Sequence, residues 1–136
     1  MLKLSYEQVE MMKADVTARV PQEACGLVAG KKGQAVKVFP ISNVLNSPVR
    51  FRMNPQEQLK AFNEIDERSW ELQAIYHSHP AGPAGLSTID IAEAYYPDVI
   101  HILWFREAGE WRFRGYTIQS GNATEIQLEL VQDVDG

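Results

Sequence analysis

The sequence predicts an α+β domain, a curved and mostly antiparallel or mixed β-sheet flanked by helices. Three observations predict it. Two segments, residues 5–19 and 54–68, carry apolar residues at helical spacing behind helix-start signals. Several short segments are continuously apolar or alternate in the manner of strands. Between the first two of these, Lys32-Gly33 forms a turn that sends the chain back as a hairpin.

Taken in order, Ser5 with Gln8 is a capping-box pair that starts a helix running to near Arg19, where Pro21 closes it. Val9, Met12, Val16 and Val20 form its buried stripe. Residues 24–29 are apolar, bounded by Pro and Gly, and read as a buried strand, and residues 35–41 return beside it. Residues 43–49 form a loop, and residues 51–53 a short strand. Asn54, Pro55 and Glu57 supply the cap, first-turn proline and acid of a second helix. Its Leu59, Phe62 and Ile65 are expected to face the sheet. Residues 72–78 form the next strand, followed by a loop over residues 81–86. Ser87 caps a short helix that runs through Ala94 and stops before Pro97. Residues 99–105 form a strongly apolar strand. Residues 111–116 and 124–130 alternate like strands with one wet face, and residues 131–136 are expected to fray.

The 136 residues suit one domain spanning 1–136, large enough to bury roughly two-thirds of its unfolded surface. An apolar content of 45% with 23% charged residues is that of a soluble globular chain. The net charge of −5 argues against nucleic acid as a partner, since phosphate binding needs a basic face. No apolar run approaches a membrane span, and Met1-Leu2-Lys3-Leu4 lacks the apolar region of a signal peptide, so no membrane partner is expected. Cys25 is alone and has no partner for an internal disulfide, which suits a reducing, cytoplasmic location. Oligomeric state is not legible at this level.

The chemistry concentrates in Tyr76-His77-Ser78-His79-Pro80, running on to Ser87 and Asp90. On a strand, His77 and His79 alternate past Ser78 and project from one face, where two imidazoles converge on one ion. Asp90 adds an oxygen from the first turn of the helix. Three protein ligands with a fourth position open to water mark a catalytic zinc site, whereas structural sites are closed by four, usually thiolates. One cysteine cannot close such a site. Taken alone, an H-x-H pair is weak, and Asp90 is equally a helix-start acid favoured by the dipole and the cap. Ser78 points to the opposite face and reads as structural. Cys25 reads as a small buried thiol, and His101 as a satisfied core or sheet-surface histidine.

The run H-S-H-P, six residues, S, two residues, D resembles the signature of the JAMM metalloproteases (MPN-plus, the JAB/MPN/Mov34 group). Residues 21–30, from Pro21 through Glu23 to Gly30, are similar to that family's first conserved strand, and the resemblance extends over residues 4–116. It implies the MPN architecture, akin to that of cytidine deaminases, and one zinc ion per chain held by His77, His79 and Asp90. It implies Glu23 as general acid/base toward a zinc-activated water and the leaving amine. Ser87 is implied as a donor to the oxyanion of the tetrahedral intermediate. The implied reaction is peptide or isopeptide hydrolysis after the C-terminal Gly-Gly of a ubiquitin-like or sulfur-carrier protein, whose thin tail fits a narrow cleft. The chain has little room for long insertions and looks like a minimal, prokaryotic-type member. Two alternatives stay open: a non-catalytic MPN scaffold, and a zinc hydrolase releasing a small amino-acid adduct from a carrier protein. Nucleic-acid repair relatives fit the acidic balance poorly. Imidazole and carboxylate ligands suit zinc and also accommodate iron, cobalt or nickel.

Overall fold

Helix α1 (Tyr6–Arg19) starts where its capping residues require. Ser5 Oγ accepts the Gln8 N–H at 3.2 Å and Gln8 Oε1 accepts the Ser5 N–H at 2.9 Å, which satisfies two donors the helix would otherwise orphan. Met12 and Val16 are buried, with Val9 packed beside them. Helix α2 (Pro55–Glu67) begins the same way, with Asn54 Oδ1 accepting the N–H groups of Gln56 and Glu57. Its buried face differs from expectation. Ala61 and Ile65 meet the core with Phe62, whereas Leu59 is 61% exposed. At about 100° per residue Leu59 lies roughly 160° around the helix from Ala61, so the sheet can take only one of them.

The computed structural model describes residues 2–94, 96 and 98–132. The remaining elements are β1 (Lys3–Ser5), β2 (Cys25–Lys31), β3 (Gln34–Ile41), β4 (Glu71–His79), α3 (Thr88–Ala92), β5 (Ile100–Glu107), β6 (Glu110–Gln119), β7 (Asn122–Ile126) and β8 (Glu129–Val131). They form one eight-stranded mixed sheet in the order β7-β6-β5-β4-β2-β3-β1-β8. Strands β2/β3, β2/β4, β5/β6 and β6/β7 are antiparallel, and β4/β5, β1/β3 and β1/β8 parallel.

Three elements depart from the sequence reading. Residues 51–53 form only an isolated bridge, Asn43 to Met53. Strand β1, three residues long, carries no periodic signal and exists because it pairs on both sides. The single strand expected over 124–130 is broken at Gln127-Leu128 into β7 and β8. Those two strands lie at opposite edges of the sheet. A flat sheet of this size would hold its edges about 34 Å apart, at about 4.8 Å per strand step. The connection from Ile126 to Glu129 spans at most about 11 Å. The sheet must therefore curl until its edges nearly meet, which is the physical origin of the expected curvature. Residues 133–136, part of the segment expected to fray, lie outside the described residues, as does Pro97.

The two faces of the sheet are packed separately. Met12 and Val16 of α1 pack with Leu4, Val28, Ala74, Tyr76, Ile102 and Trp104 on one face. Ala61 of α2 packs with Cys25, Leu27 and Ile75 on the other. Because strand side chains alternate, Ile75, His77 and His79 share the α2 face and Tyr76 the α1 face. Among the described residues, no helix is long and apolar enough to cross a membrane.

Gly26 lies opposite Tyr76 across β2/β4, and a Cβ there would meet the Tyr76 ring at 2.2 Å. The ring cannot yield, because it is fully buried and its hydroxyl donates to Asp15 Oδ2 at 2.7 Å. Gly26→Ala is accordingly expected to lower stability by about 1–3 kcal/mol in urea unfolding. An unchanged midpoint would show that Tyr76 is free to move.

Candidate metal centre

Three elements deliver the site. Strand β4 ends in His77 and His79, each 2% exposed, on the face that Phe51 covers by stacking on His77 with ring centroids 4.8 Å apart. Helix α3 presents Asp90. Just ahead of β2, Glu23 enters at 1% exposure, its N–H bonded to the Ser47 carbonyl and its own carbonyl accepting from Asn43 Nδ2.

The donor atoms converge tightly. His77 Nε2 lies 3.3 Å from His79 Nε2, and Asp90 Oδ2 lies 3.2 Å from the first and 3.1 Å from the second. Two donors about 2.05 Å from an ion at the tetrahedral angle stand about 3.3 Å apart, so these three atoms match a zinc shell with one position left open. Glu23 Oε2 stands off at 3.9 Å from His79 Nε2, beyond that triangle yet within the same cluster, whose four donor atoms all lie within 4.8 Å of one another.

Hydrogen bonding sets which atoms face inward. His79 Nδ1–H donates to the Pro83 carbonyl at 2.9 Å, since a carbonyl only accepts. The neutral ring then presents a lone pair at Nε2. The capping box of α3 performs the same service for Asp90: its Oδ2 accepts the Ser87 N–H at 2.8 Å while Ser87 Oγ accepts the Asp90 N–H at 3.0 Å. One carboxylate oxygen is thus anchored by the helix start and aimed at both histidines. Converging lone pairs repel unless positive charge lies among them. Glu23 Oε1 and His77 Nδ1 are buried and have no hydrogen-bond partner among the described residues. The donor set fits a divalent cation.

Charges follow from this geometry. Burial pushes the Glu23 carboxyl up to about 8, with the nearby His79 opposing and Asp90 adding to the rise. With protons rather than an ion on the histidines, burial opposes ionisation of Asp90, but the hydrogen bonds from His77, His79 and Ser87 prevail and hold its carboxyl below the usual range. Burial lowers His77 despite its bond to Asp90, whereas in His79 the bonds to Asp90 and Pro83 outweigh burial and raise it.

The residues singled out in the sequence fall into two groups. Glu23, His77, His79, Ser87 and Asp90 come together. Ser78 turns away, fully buried, with Oγ accepting the Ala24 N–H at 2.8 Å. Cys25 also stays out of the cluster. Its thiol donates to the Ile41 carbonyl at 3.4 Å, and burial pushes it up to about 12, which leaves it inert. His101 departs from the satisfied histidine expected: it is buried, but its Nε2 has no hydrogen-bond partner among the described residues. It sits opposite Ile75 on β5 and lines a groove of about 300 Å³ with His77 and Asp90. Burial pushes it down to about 4. The groove residues Arg50, Phe51 and Arg52 carry no signal in the sequence, where residues 51–53 read as a short strand with no part in the site.

Curled sheet and buried His-His-Asp-Glu cluster together define a metallopeptidase type of domain. Residues 7–116 match the family described as prokaryotic homologs of the JAB domain. The chain belongs to that family. It is 31% identical to the CysO-cysteine peptidase of Mycobacterium tuberculosis over 134 residues, covering 96% of this chain and 92% of the relative. It is 40% identical to the desampylase of Pyrococcus furiosus over 90 residues, 66% of this chain and 64% of the relative. A solution structure of a Desulfitobacterium hafniense protein superposes with a TM-score of 0.88 at 29% identity, covering 99% of this chain and 96% of that one.

A raised carboxyl binds its proton more tightly folded than unfolded, so the metal-free protein loses stability as pH rises from about 4.5 through about 8. Glu23→Gln removes that loss. In urea unfolding with chelator present, the variant is expected to gain on wild type from pH 5.5 to pH 8.5, and a constant difference would disprove the burial argument.

Proposed function

We propose that residues 1–136 act as a single zinc-dependent peptidase or isopeptidase domain that cleaves after the C-terminal Gly-Gly of a ubiquitin-like or sulfur-carrier protein. The observation that carries this reading is the convergence of His77, His79 and Asp90 with a buried carboxylate beside them. The names of the two relatives, a peptidase and a desampylase, support it. A cytoplasmic location belongs to the same reading, supported by the lone reduced Cys25.

In this reading His77, His79 and Asp90 hold the zinc. The ion supplies Lewis acidity, lowering the pKa of water toward about 7 and polarising the carbonyl under attack. Glu23 takes the proton of the attacking water and returns it to the departing amine. A carboxyl whose burial raises its proton affinity to near neutrality suits both halves of that transfer. Ser87 Oγ already accepts the Asp90 N–H, so its own O–H is free to donate to the oxyanion. Phe51, stacked on His77, keeps water from one side of the imidazole.

The test is metal content and hydrolysis of a Gly-Gly-linked ubiquitin-like fusion, measured on the same samples. Wild type is expected to hold one zinc per chain and His77→Ala to lose it. Glu23→Gln should keep zinc and lose about 10²–10⁴ in kcat. Ser87→Ala is expected to lose about 10²–10³ in kcat, with about 1 kcal/mol of stability from the lost cap. Zinc without cleavage of any such fusion would sink the substrate assignment, and absence of zinc after reconstitution would sink the site.

A further inference from the structure

Two carboxylates, Asp90 and Glu93, line the groove beside the cluster. Two arginines line it. Arg50 is ion-paired with Glu93, whereas the guanidinium of Arg52 has no ionic or hydrogen-bond partner among the described residues. Arg52 is exposed, so a ligand entering from solvent can reach its guanidinium. His77 and Asp90 line the same space, Ile75 and Met53 give it an apolar wall, and His101 brings an Nε2 with no hydrogen-bond partner among the described residues. The space is about 300 Å³ and partly open to solvent, a cleft suited to an extended segment.

We propose that this groove receives the leaving side of the scissile bond, and that Arg52 binds the free α-carboxylate of a single departing amino acid. The proposal rests on the hydrolytic reading above and narrows it. A guanidinium is a planar fork of donors matched to a carboxylate. A residue added singly to the carrier's terminal glycine carries a free carboxylate close to the reacting carbonyl. A lysine within a protein chain, joined through its ε-amine, carries none. In the reaction one water is consumed: its oxygen joins the glycine carbonyl carbon, the C–N bond breaks, and the departing amine takes a proton through Glu23. The amino acid leaves with its carboxylate unchanged. Arg52 is therefore a specificity-determining residue that reads the leaving group.

The test compares three substrates built on one ubiquitin-fold carrier, ending in Gly-Gly-Ala acid, in Gly-Gly-Ala amide, or in Gly-Gly joined to the ε-amine of a lysine peptide with blocked ends. Zinc-loaded wild type is expected to favour the acid over the amide at least about tenfold in kcat/KM, the scale of one charge-assisted contact. Arg52→Ala should bring that ratio to about one with zinc content retained, and Arg52→Lys should restore part of it. Independently of turnover, the tripeptide Gly-Gly-Ala should bind metal-free wild type more tightly than its amide, and lose that advantage in Arg52→Ala, by NMR titration. Equal rates on acid and amide, or a preference that survives Arg52→Ala, overturns the assignment. Cleavage of the ε-linked substrate alone overturns it while leaving the peptidase reading intact. Failure to cleave any of the three removes the parent reading and this one together.

Discussion

A reciprocal pair of hydrogen bonds between Ala24 and Ser78 ties the two halves of the site together. The Ala24 N–H donates to Ser78 Oγ and the Ser78 N–H donates to the Ala24 carbonyl, 54 positions away in sequence. These bonds extend the antiparallel register in which Cys25 faces His77 and Gly26 faces Tyr76. Continued outward, that register sets Glu23 opposite His79, the histidine whose Nε2 it approaches. A slip of one residue would turn both histidines to the α1 face and leave the carboxylate without a companion. The close fit of Gly26 against Tyr76 forbids that slip from the inside. Site and core are therefore specified by one strand pairing.

The cost of burying so much polar chemistry explains the arrangement around it. Glu23, His77 and His79 are almost wholly removed from water, where an unpaired charge is strongly penalised. The protein spends few side chains on compensation. It uses backbone instead: the Pro83 carbonyl for His79, the Ser87 N–H for Asp90, and the Ser47 carbonyl for the backbone of Glu23. Asn43 organises the loop that covers the cluster, donating to the Glu23 and Arg50 carbonyls and accepting from the N–H groups of Leu45 and Arg52. That side chain connects the placement of the carboxylate with the shape of the groove. Of the four buried side-chain atoms without a hydrogen-bond partner among the described residues, Glu23 Oε1 and His77 Nδ1 belong to the cluster and His101 Nε2 to the groove, while Trp104 Nε1 lies in the core on the α1 face.

Legibility in the sequence tracked the range of the interaction. The capping boxes at Ser5 and Ser87 are contacts over three residues, and both were readable as spacing. So was the pairing of His77 with His79, because alternation along a strand is a local rule. The buried side of α2 was not, since Leu59 and Ala61 are both apolar and the sheet, not the helix, chooses between them. His101 looked like one histidine in an apolar strand. Its lack of a partner and its place in the groove depend on β5 lying beside β4, a pairing that periodicity does not reveal.

By itself, then, the sequence determined the helices, most of the strands, the alternation that puts two imidazoles on one face, and the helix start that aims a carboxylate. Each depends on residues within a few positions of one another, where backbone geometry leaves little choice. Only the tertiary structure decided that Glu23 reaches the histidines, that the segment after β6 divides between two opposite edges, and that Arg52 shares a groove with His77. These are contacts between distant segments. They are set by strand order and by the curl that a two-residue connection between edge strands imposes, and neither leaves a periodic trace along the chain.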